Sequence, residues 1–136
     1  MKLLITGGAG FIGTNFVYHS VAVHPGYEIV VVDKLTYAGN RANLEPLGAR
    51  IQLIQADICD ASQMAAAMRN ADYVVHFAAE SHNTRSETNP ELFYRTNVEG
   101  TRTLLEAALK ANVKNFVHLD RRSIWRSAGR CILQGD

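Results

Sequence analysis

The sequence predicts an α/β fold built on a doubly wound parallel sheet that is left incomplete after its fifth strand. Three observations predict it. Short apolar runs alternate with longer segments of helical periodicity. The runs are β-branched and nearly uninterrupted, the pattern of strands buried on both faces. A cluster of glycines stands where the first run meets the first helical segment.

Lys2 to Ile5 reads as the first strand and ends in Thr6-Gly7-Gly8. Phe11, Ile12, Phe16, Val17 and Val21 then recur at helical spacing until His24-Pro25-Gly26 stops the helix. Glu28 to Val32 is the second strand, closing at Asp33, and Ile51 to Ala56 the third. Asp60, with Gln63 three residues on, has the form of a capping box, after which Met64, Ala67, Met68 and Ala71 share one helical face. Tyr73 to Phe77 is the fourth strand and Asn115 to Leu119 the fifth. Between them Glu91 to Ala111 forms a long helix expected to bury Leu104, Leu105 and Ala108.

At 136 residues the chain has room for one domain. Apolar residues make up 47% and charged residues 20%, an ordinary globular balance, and the net charge of +1 offers no field for nucleic acid or an anionic membrane. No apolar run approaches the ~20 residues of a membrane span. Cys59 and Cys131 form no Cys-x-x-Cys pair, which argues against a disulfide framework or a zinc site and for the cytoplasm. His19, His24, His76, His82 and His118 show no ligand spacing, so no metal is expected.

Thr6-Gly7-Gly8-Ala9-Gly10-Phe11-Ile12-Gly13 satisfies Gly-x-Gly-x-x-Gly at 8, 10 and 13 and Gly-x-x-Gly-x-x-Gly at 7, 10 and 13. In a strand-to-helix turn such glycines let backbone approach a pyrophosphate, while the helix N-terminus supplies free N–H groups and positive dipole. Asp33 stands 20 residues after Gly13 at the end of the second strand, where a carboxylate accepts the adenosine ribose hydroxyls and repels a 2′-phosphate. NAD is therefore the expected cofactor, and the neighbouring Lys34 is the feature that favours NADP. The other reading is a tight connection with Asp33 capping a loop. Together these features make the expected sheet Rossmann-like.

Thr6 to Gly13 resembles the extended short-chain dehydrogenase/reductases that act on nucleotide sugars, the NAD-dependent epimerases and dehydratases. Within them Asp33-Lys-Leu-Thr-Tyr-Ala-Gly-Asn40, Ala56-Asp-Ile58, His76-Phe-Ala-Ala-Glu-Ser-His82 and Arg95-Thr-Asn-Val-Glu-Gly-Thr101 look like the dTDP-glucose 4,6-dehydratases, over residues 1–119. The resemblance implies that Gly7, Gly10, Phe11, Ile12 and Gly13 follow the pyrophosphate, and that Asp33, Lys34, Leu35 and Thr36 wrap the ribose. It implies that Asp57 and Ile58 meet the adenine, that Phe77, Ala78, Ala79 and Glu80 line the dinucleotide, and that Thr96 closes the far side. Ala78 and Ala79 suit close cofactor approach, or equally helix packing.

Ser81 would reach the substrate. Asn83-Thr84-Arg85-Ser86 departs from the family's Asp-Arg-Ser by carrying Thr84 in place of the acid. Arg85 could pair a substrate phosphate or stay solvated on its loop. Leu92 and Phe93, on a helix that contributes to a homodimer face in the family, are interface or core residues.

Family catalysis oxidises the sugar at C4, removes water across C5 and C6, and returns the hydride to C6. It uses a Thr-Asp-Glu run after the fifth strand and a Tyr-x-x-x-Lys helix, and this sequence contains neither. Residues 120–136 instead carry four Arg and two Asp, a net of +2, against 10 Lys and Arg and 11 Asp and Glu, a net of −1, over residues 1–119.

A codon argument accounts for the change. Leu119 to Arg126 can be encoded CTC-GAC-CGA-CGA-AGT-ATA-TGG-AGA, and read one base later this gives Ser-Thr-Asp-Glu-Val-Tyr-Gly, the family's missing run. Residues 1–119 are thus expected to be a partial NAD-binding domain and 120–136 an out-of-frame tail, with the chain inactive alone. A related UDP- or GDP-sugar epimerase or dehydratase is the enzymatic alternative, and a non-catalytic NAD-binding module the other. Nucleotide sugar and a second copy are the expected partners, with no nucleic acid and no membrane.

Overall fold

The computed structural model describes residues 1–81 and 87–119. Strand β1 (Lys2–Thr6) leads through the glycine turn into helix α1 (Phe11–Val23), and β2 (Glu28–Asp33) follows. Two short 3-10 segments, Arg41–Asn43 and Glu45–Arg50, which the apolar pattern did not reveal, precede β3 (Gln52–Gln55). Then come α2 (Ala61–Ala67), β4 (Tyr73–His76), α3 (Pro90–Tyr94), a wide π turn (Arg95–Gly100), α4 (Thr101–Lys110) and β5 (Asn115–His118). The predicted long helix is thus one rod with a π segment set into it.

All pairings are parallel and the strand order is β3-β2-β1-β4-β5. Ile5 pairs with Val31 on one side and Val75 on the other. The chain therefore winds outward from β1 in one direction and, after β3, in the other. The carboxyl ends of β1 and β4 mark the point of reversal, the place where an open α/β sheet forms a crevice.

Alternation along the strands divides the core. Leu4, Val30, Val32 and Val74 face α2 and α4, packing on Met64, Met68, Leu104, Ala107 and Ala108. Leu3, Ile5, Ile29, Val31 and Val75 face the other way, where Val17 and Val21 of α1 cover them. Asp60 caps α2 as the sequence implies, accepting the Gln63 backbone N–H at 3.0 Å and its side-chain amide at 2.7 Å.

One burial expectation is corrected. Leu105 is 44% exposed and Ala107 takes its place in the core, because Leu104, Ala107 and Ala108 form one i, i+3, i+4 stripe and Leu105 lies about 100° around from Leu104. Phe11 and Ile12, at the start of α1, are 85% and 52% exposed, and the helix buries Gly13, Val17, Ser20 and Val21. Ser20 is tolerated there because its hydroxyl donates to the Phe16 carbonyl at 2.8 Å.

Candidate functional site

A cleft of about 290 Å³ opens at the carboxyl ends of the strands, between the loops that follow β1, β2, β3 and β4. Each wall follows from local sequence. Gly7 sits at φ +70°, and a Cβ there would lie 2.6 Å from the Ala78 backbone nitrogen, so the turn and the β4 loop approach to a distance only glycine permits. Gly13 packs its Cα against the Gly7 carbonyl. Gly10 differs, since a Cβ there would meet nothing nearer than 3.4 Å although the residue lines the cleft. Gly10 is also the N-cap of α1, with no side-chain cap and no acidic residue in the first turn. The first backbone N–H groups of a 13-residue helix thus lie beside the cleft with its positive dipole end.

Asp33 is buried on the opposite wall. One carboxylate oxygen accepts the Ala9 N–H at 2.9 Å and the other the Leu35 N–H at 2.8 Å, which ties the glycine turn to the loop after β2. The two readings of Asp33, loop organiser and cleft carboxylate, coexist in one side chain. Beyond it Asp57 accepts from Cys59 N–H at 2.9 Å through one oxygen, and through the other from Lys34 Nζ at 2.8 Å and Arg95 Nη2 at 3.3 Å. Partial burial pulls the Asp57 carboxyl upward, but the Lys34 ammonium and the Cys59 N–H outweigh it and hold the group below the usual carboxylate range.

The β4 side is held by polar clamps. Asn97, in the π turn, accepts the Glu80 N–H and donates to the Glu80 carbonyl, both at 2.9 Å. Tyr37 donates its hydroxyl to Glu80 Oε2 at 3.1 Å and so joins the β2 and β4 loops. Beneath them His76 is fully buried between the Thr6 hydroxyl at 2.7 Å and the Thr101 hydroxyl at 3.0 Å, stacked on His118. Burial, and then the nearby His118, push its pKa down to about 3, so it is neutral at physiological pH. Among the described residues no group of three or more His, Cys, Asp and Glu is placed to hold a metal ion, and no helix is long and apolar enough to cross a membrane.

The cleft brings together Gly7, Gly10, Asp33, Lys34, Thr36, Asp57, Ile58, Phe77, Ala78, Ala79, Glu80 and Thr96 from the residues the sequence singled out. Leu35 turns its side chain to the α1 face of the core and contributes its N–H to Asp33. Gly13 supports the turn from beneath, and Phe11, Ile12 and Ser81 lie outside the lining. Arg85 and His82 fall outside the described residues, as does the 120–136 tail. Sequence reasoning missed Val32, Tyr37, Ala38, Gly39, Ala56 and Leu92 as lining residues. Tyr37 to Gly39 belong to the Asp33–Asn40 run, which was the available signal. Leu92, read as interface or core, lines the cleft.

The sequence profile of the NAD dependent epimerase/dehydratase family matches residues 3–120. The chain belongs to that family. It is 51% identical over 114 residues to a dTDP-glucose 4,6-dehydratase of Mycobacterium tuberculosis, a match covering 84% of this chain and 34% of the relative. It is also 51% identical over 130 residues to dTDP-glucose 4,6-dehydratase 1 of Escherichia coli K12, covering 93% and 35%. A solved dTDP-glucose 4,6-dehydratase of Streptomyces venezuelae, crystallised with NAD, superposes with a TM-score of 0.83 at 49% identity, over 87% of this chain and 38% of that one. The UDP-glucose 4-epimerase of Thermotoga maritima superposes at 0.77 and 33% identity, over 87% and 37%. This member of the family thus spans about a third of the length of the curated relatives it matches.

Proposed function

We propose that the chain is the cofactor-binding amino-terminal portion of a dTDP-glucose 4,6-dehydratase, and that its cleft holds NAD. The observation that carries this reading is Gly10: packing does not demand a glycine there, the residue lines the cleft, and uncapped helix N–H groups adjoin it. A bound pyrophosphate supplies both the close approach and the missing acceptors. Asp33 accepts the adenosine ribose hydroxyls while keeping its backbone bonds, Asp57 and Ile58 border the adenine, and Ala78 and Ala79 leave room for the dinucleotide. Bound there, NAD supplies the hydride acceptor and donor for oxidation at C4 and reduction at C6 of a nucleotide sugar.

Ser81 and Arg85 are assigned to the substrate and a cytoplasmic location goes with the same reading. The Thr-Asp-Glu and Tyr-x-x-x-Lys groups needed for proton transfer are absent from the sequence, so the chain as written binds cofactor without turnover. For a homodimer, the exposed stripe of Tyr94, Val98, Leu105 and Leu109 along the α3–α4 rod is better placed than Leu92, which faces the cleft.

The test has two arms. Calorimetry on residues 1–136 should show NAD binding, and none refutes the cofactor assignment. Sequencing the gene around codons 117–122, restoring the frame that reads Ser-Thr-Asp-Glu from within codon 119, and assaying the longer product should show formation of a 4-keto-6-deoxy sugar from dTDP-glucose. Interconversion of UDP-sugars instead would establish the epimerase reading, which the likeness to the Thermotoga enzyme supports. An intact frame in genomic and messenger sequence would remove the out-of-frame account of residues 120–136.

A further inference from the structure

Lys34 and Asp57 line the cleft, and Arg95 reaches Asp57 from the π turn outside that lining. Lys34 follows Asp33 directly and lines the cleft with it, so its ammonium stands at the ribose edge. A free ammonium there would attract a 2′-phosphate. It is not free, because Lys34 Nζ and Arg95 Nη2 converge on the same Asp57 oxygen, at 2.8 and 3.3 Å. The other Asp57 oxygen is taken by the Cys59 N–H, which fixes the carboxylate in place. Both cations are half-exposed and come from different elements, just past the end of β2 and in the π turn, and Asp57 is the carboxylate they share.

We infer that Asp57 is a second determinant of cofactor choice, acting by occupying Lys34 and Arg95 so that they cannot receive the 2′-phosphate of NADP. The inference rests on the NAD assignment above and adds an element to it. Asp33 repels the phosphate directly, and Asp57 withholds the two cations that would compensate. An ammonium that lines the cleft, with a guanidinium that shares its carboxylate, becomes available to a phosphate once that carboxylate is removed, since charge-assisted bonds to phosphate are among the stronger polar contacts.

A role confined to adenine contact or loop structure makes a different prediction. Adenine is common to NAD and NADP, so losing that contact weakens both equally and leaves their affinity ratio unchanged. The ratio moves only if charge at the 2′ position changes.

The experiment titrates NAD and NADP into the full chain and its variants, with circular dichroism to confirm folding. In Asp57→Asn the affinity ratio should shift toward NADP by about tenfold or more, as expected for newly available charged hydrogen-bond donors. The shift should shrink at high salt, and adding Lys34→Gln and Arg95→Gln should abolish it. With Asp57 intact, the same two Gln substitutions free the carboxylate and should move the ratio further toward NAD, a test that holds even if Asp57→Asn does not fold. An unchanged ratio in both backgrounds overturns the inference while leaving the NAD assignment standing. If the unmutated chain binds neither dinucleotide, the assignment fails and this inference fails with it.

Discussion

The two walls of the cleft are built on different physics. The glycine turn is shaped by exclusion, with Gly7 and Gly13 at distances that admit no side chain. The rim beyond β2 and β3 is shaped by charge, with Asp33, Lys34, Asp57 and Arg95 arranged through hydrogen bonds and ion pairs. A sterically defined wall has no partial states, so changes there act on the fold. A charged rim tolerates change in the fold and registers it in what binds. Substitutions on the two walls should therefore separate stability from affinity.

The largest effect is expected at Gly7. Gly7→Ala places a side chain at φ +70° and against the Ala78 backbone, two independent penalties. Unfolding free energy should fall by more than about 3 kcal/mol in urea titration. A loss below 1 kcal/mol would mean that the β4 loop moves aside and that this wall is softer than its geometry indicates.

Asp33, on the charged rim, is bonded across to the glycine turn through the Ala9 N–H and sharpens the contrast. Asp33→Asn leaves one of the Ala9 and Leu35 N–H groups facing an amide NH2 with no acceptor, and the other with a neutral one, and should lower stability by about 1–3 kcal/mol. NAD affinity should fall as well, by about 1.5–3 kcal/mol, if the ribose bonds are charge-assisted. A stability loss with NAD affinity intact would leave Asp33 as a loop organiser only.

The glycine turn and the alternation of strands and helices are legible in the sequence because both depend on neighbours in the chain: glycine spacing, a helix start, an apolar strand. The same holds for the Asp60 cap, which needs Gln63 only three residues away. The charged rim and the clamps are not legible, because they join residues far apart. Arg95 lies 38 positions from Asp57, and Tyr37 lies 43 from Glu80. Nothing local announces the π turn that aims Asn97 at Glu80. Leu105 was misplaced for a related reason: the two leucines are adjacent in sequence, and only packing on Met64 and Met68 decides which one faces inward.

Beneath the cleft, His76 gives a pH dependence of smaller size. The folded chain keeps His76 neutral down to about pH 3, whereas an unfolded histidine protonates near 6.5. Between those values the unfolded state binds more protons, so this contribution is fully present above pH 6.5 and declines as the pH falls toward 3. The slope approaches at most about 1.4 kcal/mol per pH unit. Thermal unfolding between about pH 6.5 and 5.5, above most of the range where the carboxylates titrate, should show the start of the decline, and His76→Gln should remove most of it. An identical slope in the variant would assign the effect to another group.

Gly10 should show the smallest change in stability and the cleanest division between the walls. It shares a turn with Gly7, yet its φ of −79° and ψ of 174° are open to any residue, and a Cβ would keep 3.4 Å from the Gly7 carbonyl and 3.7 Å from that of Ala38. Gly10→Ala should therefore stay within about 1 kcal/mol of the unmutated chain, the size of a change at an N-cap without a side-chain bond. The added methyl enters the cleft beside the first N–H groups of α1, where the pyrophosphate is assigned. NAD affinity should then drop about tenfold or more, since the phosphate must withdraw from those donors. If Gly10→Ala binds NAD as well as the unmutated chain, the pyrophosphate does not lie against this turn, and the glycine that packing leaves unexplained would need another occupant of the cleft.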